Sequence, residues 1–592
     1  MINKLAAALL PFHRRLLSAS SSAAWTQARR RFGSMETAAV RCVAGEPQLT
    51  ISFRMDGSQK HMQREQDEPL GKVLSRIACN FAKGKNKAKK KKRSAPEPAA
   101  EPAVVKLYVD GGEVPGTVLN VEAWRDGAVL QVGDVRYSVR RNEPTFTTAE
   151  LPLSLLAGFP VCPKLEVEFG ELDHCEFTWY KETEPIQNSV EGAGDADSPD
   201  RSWTESGRSR VYVPSNHDIG RRLKLRCTPK DGDGRAGPPT ELFSAGSVEA
   251  GPGVCTFDER HAYTAEEAMW PQLRTVSYNI LADVYAQTEL SKTVLYPYCP
   301  PYALHLDYRQ NLIKKELAGY RADVVCLQEV DKGVFSDSLI PALDAFGMDG
   351  VFKIKDKQHE GLATFYRRTR FKLLSRHDIT LSEALTLDPL HTELLEKVST
   401  DDALKEKILK RSTALQVSVL EDLQAGRKVC VANTHLYWHP KGGNVRLVQM
   451  AVALRHLSHV IGQLQSGAPL LFCGDFNSSP NSGVLQLVTE AAVSRHHADW
   501  HGSEEDSPAS PWAADLTSPF PPLLSACGPL AYTNYVGGFQ GCLDYIFIQP
   551  PSMRVERVVP MPDHRLVTAY TALPSVAHPS DHIALVCDLR WE

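Results

Sequence analysis

The sequence predicts a β-rich domain followed by a mixed α/β domain, and three observations carry that prediction. The chain has 592 residues, too many for one ordinary core. Between residues 104 and 250, short strand-like runs are punctuated by Gly, Pro and Asp, as in an antiparallel sheet or sandwich. From residue 251 to 592, strand-like runs alternate with helical ones, the texture of an α/β domain.

Composition narrows the function classes. Hydrophobic residues make up 42% and charged residues 23%, with a net charge of -4, so no global polyanion-binding character is present and any nucleic-acid contact has to be local. The 13 cysteines form no CxxC pair, which argues against a structural zinc site and a disulfide framework and for a reducing compartment. No stretch approaches the roughly 20 apolar residues of a membrane-spanning helix, so no membrane insertion is expected.

Residues 1–35 contain no acidic residue, while Lys4, Arg14, Arg15, Arg29, Arg30 and Arg31 interleave with leucines and a Ser-rich patch. This is the composition of a mitochondrial transit peptide, with cleavage expected between Arg31 and Ser34 and the matrix as destination. A secretory signal fits less well, because its apolar centre, residues 5–10, is short and runs into Arg14 and Arg15. Residues 36–103 form a separate segment in this reading. It ends in a basic run (Lys83, Lys85, Lys87, then residues 89–93) and a Pro/Ala/Glu stretch, residues 94–103. With like charges and little to bury, this part reads as a disordered linker.

In the β-rich domain the strand-like runs are residues 104–109, 117–124, 128–139, 165–169, 175–180 and 223–227. Cys175, Trp179 and Cys227 with Tyr212 and Asp218 loosely resemble immunoglobulin-like repeats. Cys175 and Trp179 lie too close in sequence for the disulfide-bearing pattern, so both cysteines read as small core residues. Residues 187–208 read as a mobile Gly/Ser/Asp-rich insertion. In the second domain, residues 308–317 and 445–464 carry apolar side chains at helical spacing. Residues 377–411 and 500–522 read as insertions near the groove.

Several apolar runs of this second domain end in carboxylates, amides or imidazoles: Asn279, Glu329, His435, Asp475, Asn477, Asp544 and His582. Polar groups at the ends of buried strands are where α/β proteins place ligands. One alone is ordinary turn chemistry. Together they offer oxygen donors suited to Mg²⁺ and two histidines able to contact phosphate or move protons near neutral pH.

In order, the segments SYNIL, LQEV, NTHLYWHP, GDFNSSPNSGVLQLV, TNYVGGFQGCLDYIF and SDH resemble the exonuclease, endonuclease and phosphatase superfamily over about residues 270–592, nearest its poly(A)-removing branch of Ccr4-type deadenylases and nocturnin. The resemblance implies a four-layered α/β sandwich as the nuclease domain. It implies Glu329 as the principal Mg²⁺ ligand with Asn279 beside it, and Asp475 and Asn477 on a second metal or the attacking water, with Asp475 as general base. His582 would contact the scissile phosphate, oriented by Asp544 and supported by Asp581, and His435 would stabilise developing charge or protonate the leaving oxygen. Pro440, Asn534 and Phe539 match the branch's adenine pocket, while Arg446 and Gln449, one helical turn apart, either face the site or are solvated.

The activity so implied is a Mg²⁺-dependent 3′ to 5′ exoribonuclease acting on RNA, both poly(A) tails and 2′,5′-linked oligoadenylates. The adenine-pocket residues oppose a lipid or inositol phosphate substrate but not a dinucleotide. The intact polar set opposes a decayed, purely RNA-binding domain.

Overall fold

The computed structural model describes residues 36–55, 57–90, 104–183, 202–355, 359–464, 467–501 and 512–592. The expected transit peptide and residues 91–103 of the expected linker lie outside them. The described chain forms two compact units, and among the described residues no helix is long and apolar enough to cross a membrane.

The first unit takes residues up to 145 with 167–175 and 229–238. Its seven-stranded sheet runs Ser58–Glu65, Gln48–Met55, Glu36–Arg41, Val135–Arg141, Val129–Val132, Val105–Val109, Gly112–Glu113. Leu49, Ile51, Phe53 and Met55 alternate onto the buried face, as the two-residue period of a strand requires. Leu70, Val73, Ile77 and Phe81 of the helix Leu70–Lys90 complete that core. Their spacing of three and four residues makes one apolar stripe.

Three expectations are corrected here. Residues 36–103 are not separate from a domain beginning at 104, because Glu36–Arg41 pairs in parallel with Val135–Arg141, a non-local contact that composition does not reveal. The basic run does not start in a linker, since the helix carries it to Lys90. Residues 117–124 also differ from expectation, holding the short helix Asn120–Ala123 rather than a strand.

The second unit holds residues 146–166, 176–228 and 239–592. One part is a four-stranded antiparallel sheet ordered Trp203–Gly207, Glu176–Glu182, Leu223–Thr228, Thr240–Phe243. Trp179 is buried there, donates Nε1–H to the Ser209 carbonyl at 2.8 Å and stacks on Tyr212. Cys227 is buried as expected, whereas Cys175 is only half-buried, and neither is in a disulfide. The end of the expected mobile insertion is strand Trp203–Gly207.

The remainder is a sandwich of two sheets clad in helices. One sheet is ordered Met348–Ile354, Glu360–Arg367, Val324–Asp331, Gln272–Asn279, Leu585–Trp591, Met553–Val558. The other is ordered Phe371–Arg376, Ala414–Asp422, Arg427–His435, Leu470–Asp475, Asp544–Ile548, Leu524–Ser525, with Ile379–Thr380 beside Ala414–Asp422. Residue parity builds the layers. Val324, Cys326, Leu471, Cys473, Ile546 and Ile548 meet between the sheets. Their neighbours Val325 and Leu327 pack with the helix Leu306–Tyr320, and Leu470 and Phe472 with the helix Gly443–Gly462. This is the expected four-layered α/β sandwich.

The two insertions are structured. Residues 377–411 form the helices Leu381–Leu387, Thr392–Val398 and Asp402–Leu409, whose Leu385, Leu394, Leu404 and Ile408 are buried in the helix-side core. Trp500 is buried in the same core and meets Trp512 edge to face.

Candidate active site

The same parity that builds the sandwich delivers the polar cluster. Asn279 follows Leu273 on the inter-sheet face, His435 follows Val429 and Val431, Asp475 follows Leu471 and Cys473, and Asp544 precedes Ile546 and Ile548. Each is therefore aimed between the sheets at their common end, and all four are buried.

Glu329 has the wrong parity. Gln328 takes the inter-sheet position, donating its amide to Asn433 Oδ1 at 2.9 Å, so a regular strand would turn Glu329 toward the helix layer. The strand instead slips register between Leu327 and Val330, and Glu329 sits at φ +54. This bulge re-aims the carboxylate. Asn477, at φ +48, is another site residue in the left-handed region. Such strain costs on the order of 1–3 kcal/mol per residue and persists where surrounding structure enforces it.

The amide of Asn279 joins the two halves of the site. Its Nδ2–H₂ donates to Glu329 Oε1 and to Asp475 Oδ2, both at 3.1 Å, while its Oδ1 accepts from Leu281 N at 3.0 Å. Asn279 thus sets the spacing of the two carboxylates, with its own oxygen held by the Leu281 backbone. Glu329 Oε2 accepts from Ala282 N at 2.9 Å. Asp475 Oδ1 accepts from Asn477 N at 2.9 Å, and Asn477 Nδ2 donates to the Leu436 carbonyl at 3.0 Å, leaving its oxygen as the available ligand atom.

His582 Nδ1 lies 2.8 Å from Asp544 Oδ2, and its Nε2 lies 3.6 Å from Asp475 Oδ2. Thr533 Oγ1–H also donates to Asp544 Oδ2 at 2.6 Å. Ser580 Oγ–H donates to the Asn279 carbonyl at 2.7 Å and accepts from His582 N at 3.1 Å. His435 Nε2 approaches the same Asp475 oxygen at 3.6 Å. Its Nδ1 lies 3.2 Å from Lys355 Nζ, which is ion-paired with Glu360 at 2.6 Å. An ammonium can only donate, so Nδ1 of His435 is the acceptor and its proton sits on Nε2.

Electrostatics divides these groups. Burial pushes Glu329 up to about 7, with Asp581 and Glu360 adding to it. Burial and Asp544 push Asp475 up to about 6. Burial works against a charged His582, but Asp544, Asp475 and Asp581 outweigh it and hold the ring protonated well above the usual imidazole range. Burial, Lys355 and His582 hold His435 far below that range, hence neutral. Asp475, Asp544 and His582 bring possible ligand atoms within 4.8 Å of one another. Glu329 adds a further carboxylate, tied to Asp475 through the Asn279 amide, so groups able to hold a cation stand on both sides of that amide.

Of the residues expected in the adenine pocket, only Asn534 reaches this network. Its Nδ2 lies 3.3 Å from Asp581 Oδ2, and its backbone bridges to His582. Phe539 is exposed on the short hairpin with Asn534, and Pro440 is exposed on the loop after His435. Arg446 and Gln449 are neither solvated nor in the groove. Arg446 donates to the carbonyls of Tyr437, His439 and Pro440, and Gln449 accepts from Tyr437 N and donates to Thr413, so both clamp that loop. Sequence reasoning missed Lys355, Glu360, Thr533 and Ser580. Lys355 and Glu360 stand at strand ends, the one available signal, while Thr533 and Ser580 look like ordinary loop residues.

Residues 276–582 match the family model described as Endonuclease/Exonuclease/phosphatase family. The chain belongs to the endonuclease/exonuclease/phosphatase family. Residues 143–249 match a second model, described as 2′,5′-phosphodiesterase 12-like, N-terminal domain. The chain is 56% identical over 584 residues to 2′,5′-phosphodiesterase 12 of Homo sapiens, covering 95% of both chains, and 57% identical over 586 residues to that of Bos taurus, again covering 95% of both. It is 31% identical over 338 residues to the CCR4-Not complex 3′-5′-exoribonuclease subunit Ccr4 of Saccharomyces cerevisiae, covering 53% of this chain and 38% of that one. Among solved structures, that of ANGEL2, a 2′,3′-cyclic phosphatase, is similar at 23% identity and a TM-score of 0.45, covering 54% of this chain and 95% of that chain. As a member of this family of divalent-metal-dependent hydrolases, the chain is an enzyme of the phosphodiesterase and nuclease class.

Proposed function

We propose that the chain is a Mg²⁺-dependent 3′ to 5′ exoribonuclease that removes AMP from poly(A) tails of mitochondrial RNA and degrades 2′,5′-linked oligoadenylates. The observation that carries the chemistry is the Asn279 amide spanning Glu329 and Asp475, each 3.1 Å away, with cationic His582 3.6 Å from the same Asp475 oxygen. Adenylate as substrate is supported by Asn534 beside His582 and by relatives named 2′,5′-phosphodiesterase 12.

The donor set fits magnesium. Glu329, Asp475 and the Asn477 oxygen would hold the ion, all three being the hard oxygen donors Mg²⁺ prefers. Burial, with neighbouring carboxylates adding to it, raises both Glu329 and Asp475, and a bound cation would offset both. When bound, the ion supplies neutralisation of charge on the phosphate oxygens and a lowered pKa for water.

The chain's own groups do the rest. Asp475, near pKa 6, is ionised at neutral pH yet basic enough to take the proton of an attacking water. The water oxygen forms the new P–O bond as the P–O2′ or P–O3′ bond breaks, and the leaving oxygen recovers a proton from solvent. His582 donates from Nε2 to the phosphate, held by Asp544 as the carboxylate of a catalytic triad holds its histidine. Neutral His435 offers its Nε2–H to developing charge, so of its two expected roles this geometry favours stabilisation over protonation.

The test is hydrolysis of labelled oligoadenylate, oligouridylate and a 2′,5′-linked adenylate trimer by purified protein with Mg²⁺, alongside Asp475→Ala. Release of 5′-AMP by the parent and loss in the variant are expected. Equal activity of the two would sink the site, and turnover of a dinucleotide but of no adenylate would move the substrate. The mitochondrial address rests on the composition of residues 1–35. A reporter fused behind them that stays in the cytosol would overturn it.

A further inference from the structure

A cavity of about 530 Å³ opens beside the carboxylates, lined by Tyr285, Tyr296, Glu329, Lys355, Arg411 and His435, with Tyr437 and Trp438 closing one wall. Sites for nucleotide-sized ligands run about 300–1,000 Å³, so the space is adequate. Asn534, Phe539, Asp475 and His582 are not among its walls. It therefore opens at Glu329 and His435 and borders the place read above for the terminal base, since Tyr296 of its wall and Asn534 both donate to Asp581 Oδ2, at 3.0 and 3.3 Å.

The wall carries recognition chemistry that the hydrolytic step does not use. Arg411 lies over the Tyr437 ring, 4.4 Å from its centroid, and its Nε is buried without a hydrogen-bond partner. A stacked guanidinium with an unsatisfied donor suits a phosphate or a base edge. Trp438 is 67% exposed at the rim, and an exposed indole is a platform on which a base of any identity stacks. Arg411 is brought here by the three-helix segment before it, and the loop bearing Tyr437 and Trp438 is pinned by Arg446 and Gln449. Both halves of the wall are thus held by buried structure.

We propose that this cavity is a second nucleotide subsite, which seats the nucleoside on the leaving side of the scissile phosphate through Arg411, Tyr437 and Trp438. The inference rests on the oligoadenylate reading above. A substrate bound this way places its terminal nucleotide beside Asn534 and the nucleoside whose 2′ or 3′ oxygen departs in the adjoining cavity.

The test compares full-length parent, Arg411→Ala and Trp438→Ala on a 2′,5′-linked adenylate dimer and on adenosine 5′-(4-nitrophenyl) phosphate, which has a terminal nucleotide but no second nucleoside. Each variant is expected to lose about ten-fold in kcat/KM on the dimer, mainly through KM, the scale of one lost stacking contact, with a several-fold smaller loss on the ester. Equal losses on both substrates, or none on the dimer, would overturn the subsite. Trp438→Ala keeps the test decisive should Arg411→Ala misfold, because Trp438 is largely outside the core. A parent that cuts the ester but no oligoadenylate would overturn the substrate reading and this inference with it, whereas an active parent with substrate-independent losses overturns this inference alone.

Discussion

Asp475 and Asp544 face each other directly across the antiparallel pair of strands that ends at the site. Like charges in that arrangement repel, and here both side chains are buried. The imidazole of His582 bridges them, with Nδ1 on Asp544 and Nε2 toward Asp475, so one cation answers two carboxylates.

Asp544→Asn removes the partner that does most to hold the His582 proton. The ring should then deprotonate at lower pH, moving the alkaline limb of the kcat/KM profile toward acid and lowering the plateau about 10²–10⁴-fold, the usual scale for such groups. A pH profile of the variant superimposable on the parent's would refute the pairing as functional.

Glu329→Gln takes one charge from the proposed cation seat while keeping its shape. Chelation should abolish activity of the parent. The variant should need at least about ten-fold more Mg²⁺ for half-maximal rate, the lower range for losses around metal sites. Calorimetric Mg²⁺ titration of the substrate-free protein should show the same weakening.

Gly474→Ala tests how Asp475 is placed. A Cβ at Gly474 would collide with the Thr434 carbonyl of the neighbouring strand, and that backbone cannot withdraw without moving His435. The expected cost is about 3 kcal/mol, the upper range for forced overpacking, read as a thermal midpoint lower by several degrees together with lost activity.

Glu316 gives stability a pH dependence away from the site. It is fully buried and accepts from Tyr320 OH at 2.7 Å, with Arg260 4.0 Å away. Burial raises its carboxyl from 4.5 to about 7, against the pull of Arg260 and Tyr320. The folded chain then binds this proton more tightly than the unfolded chain. Its contribution is fully present below about pH 4.5 and lost as pH rises to about 7, a change of roughly 3 kcal/mol. The parent should therefore lose more thermal stability than Glu316→Gln between pH 5 and pH 8, and parallel curves would refute it.

Much of this was legible in the sequence, for identifiable reasons. The strands of the sandwich announce themselves as apolar runs because they are buried on both faces, and the polar residue ending each run is conspicuous for the same reason. Asn279, His435 and Asp475 end their strands and Glu329 lies two residues from the end of its own, whereas Asp544 opens a strand and Asn477 and His582 lie just outside one; the structure brings all seven into one cluster. The expected four layers follow from the same alternation.

Tertiary structure alone decided what depends on distant neighbours. The parallel pairing of residues 36–41 with 135–141 joins segments that composition had separated. The bulge that re-aims Glu329, the neutral state of His435 beside Lys355 and the charged state of His582 between two carboxylates arise from groups far apart in sequence. So does the role of Asn279 as a spacer between carboxylates. In a regular strand the sequence determines which side chains stand at its end and on which face. Their protonation and their partners depend on burial and on the field of charges gathered around them, and those exist only once the sheets have closed.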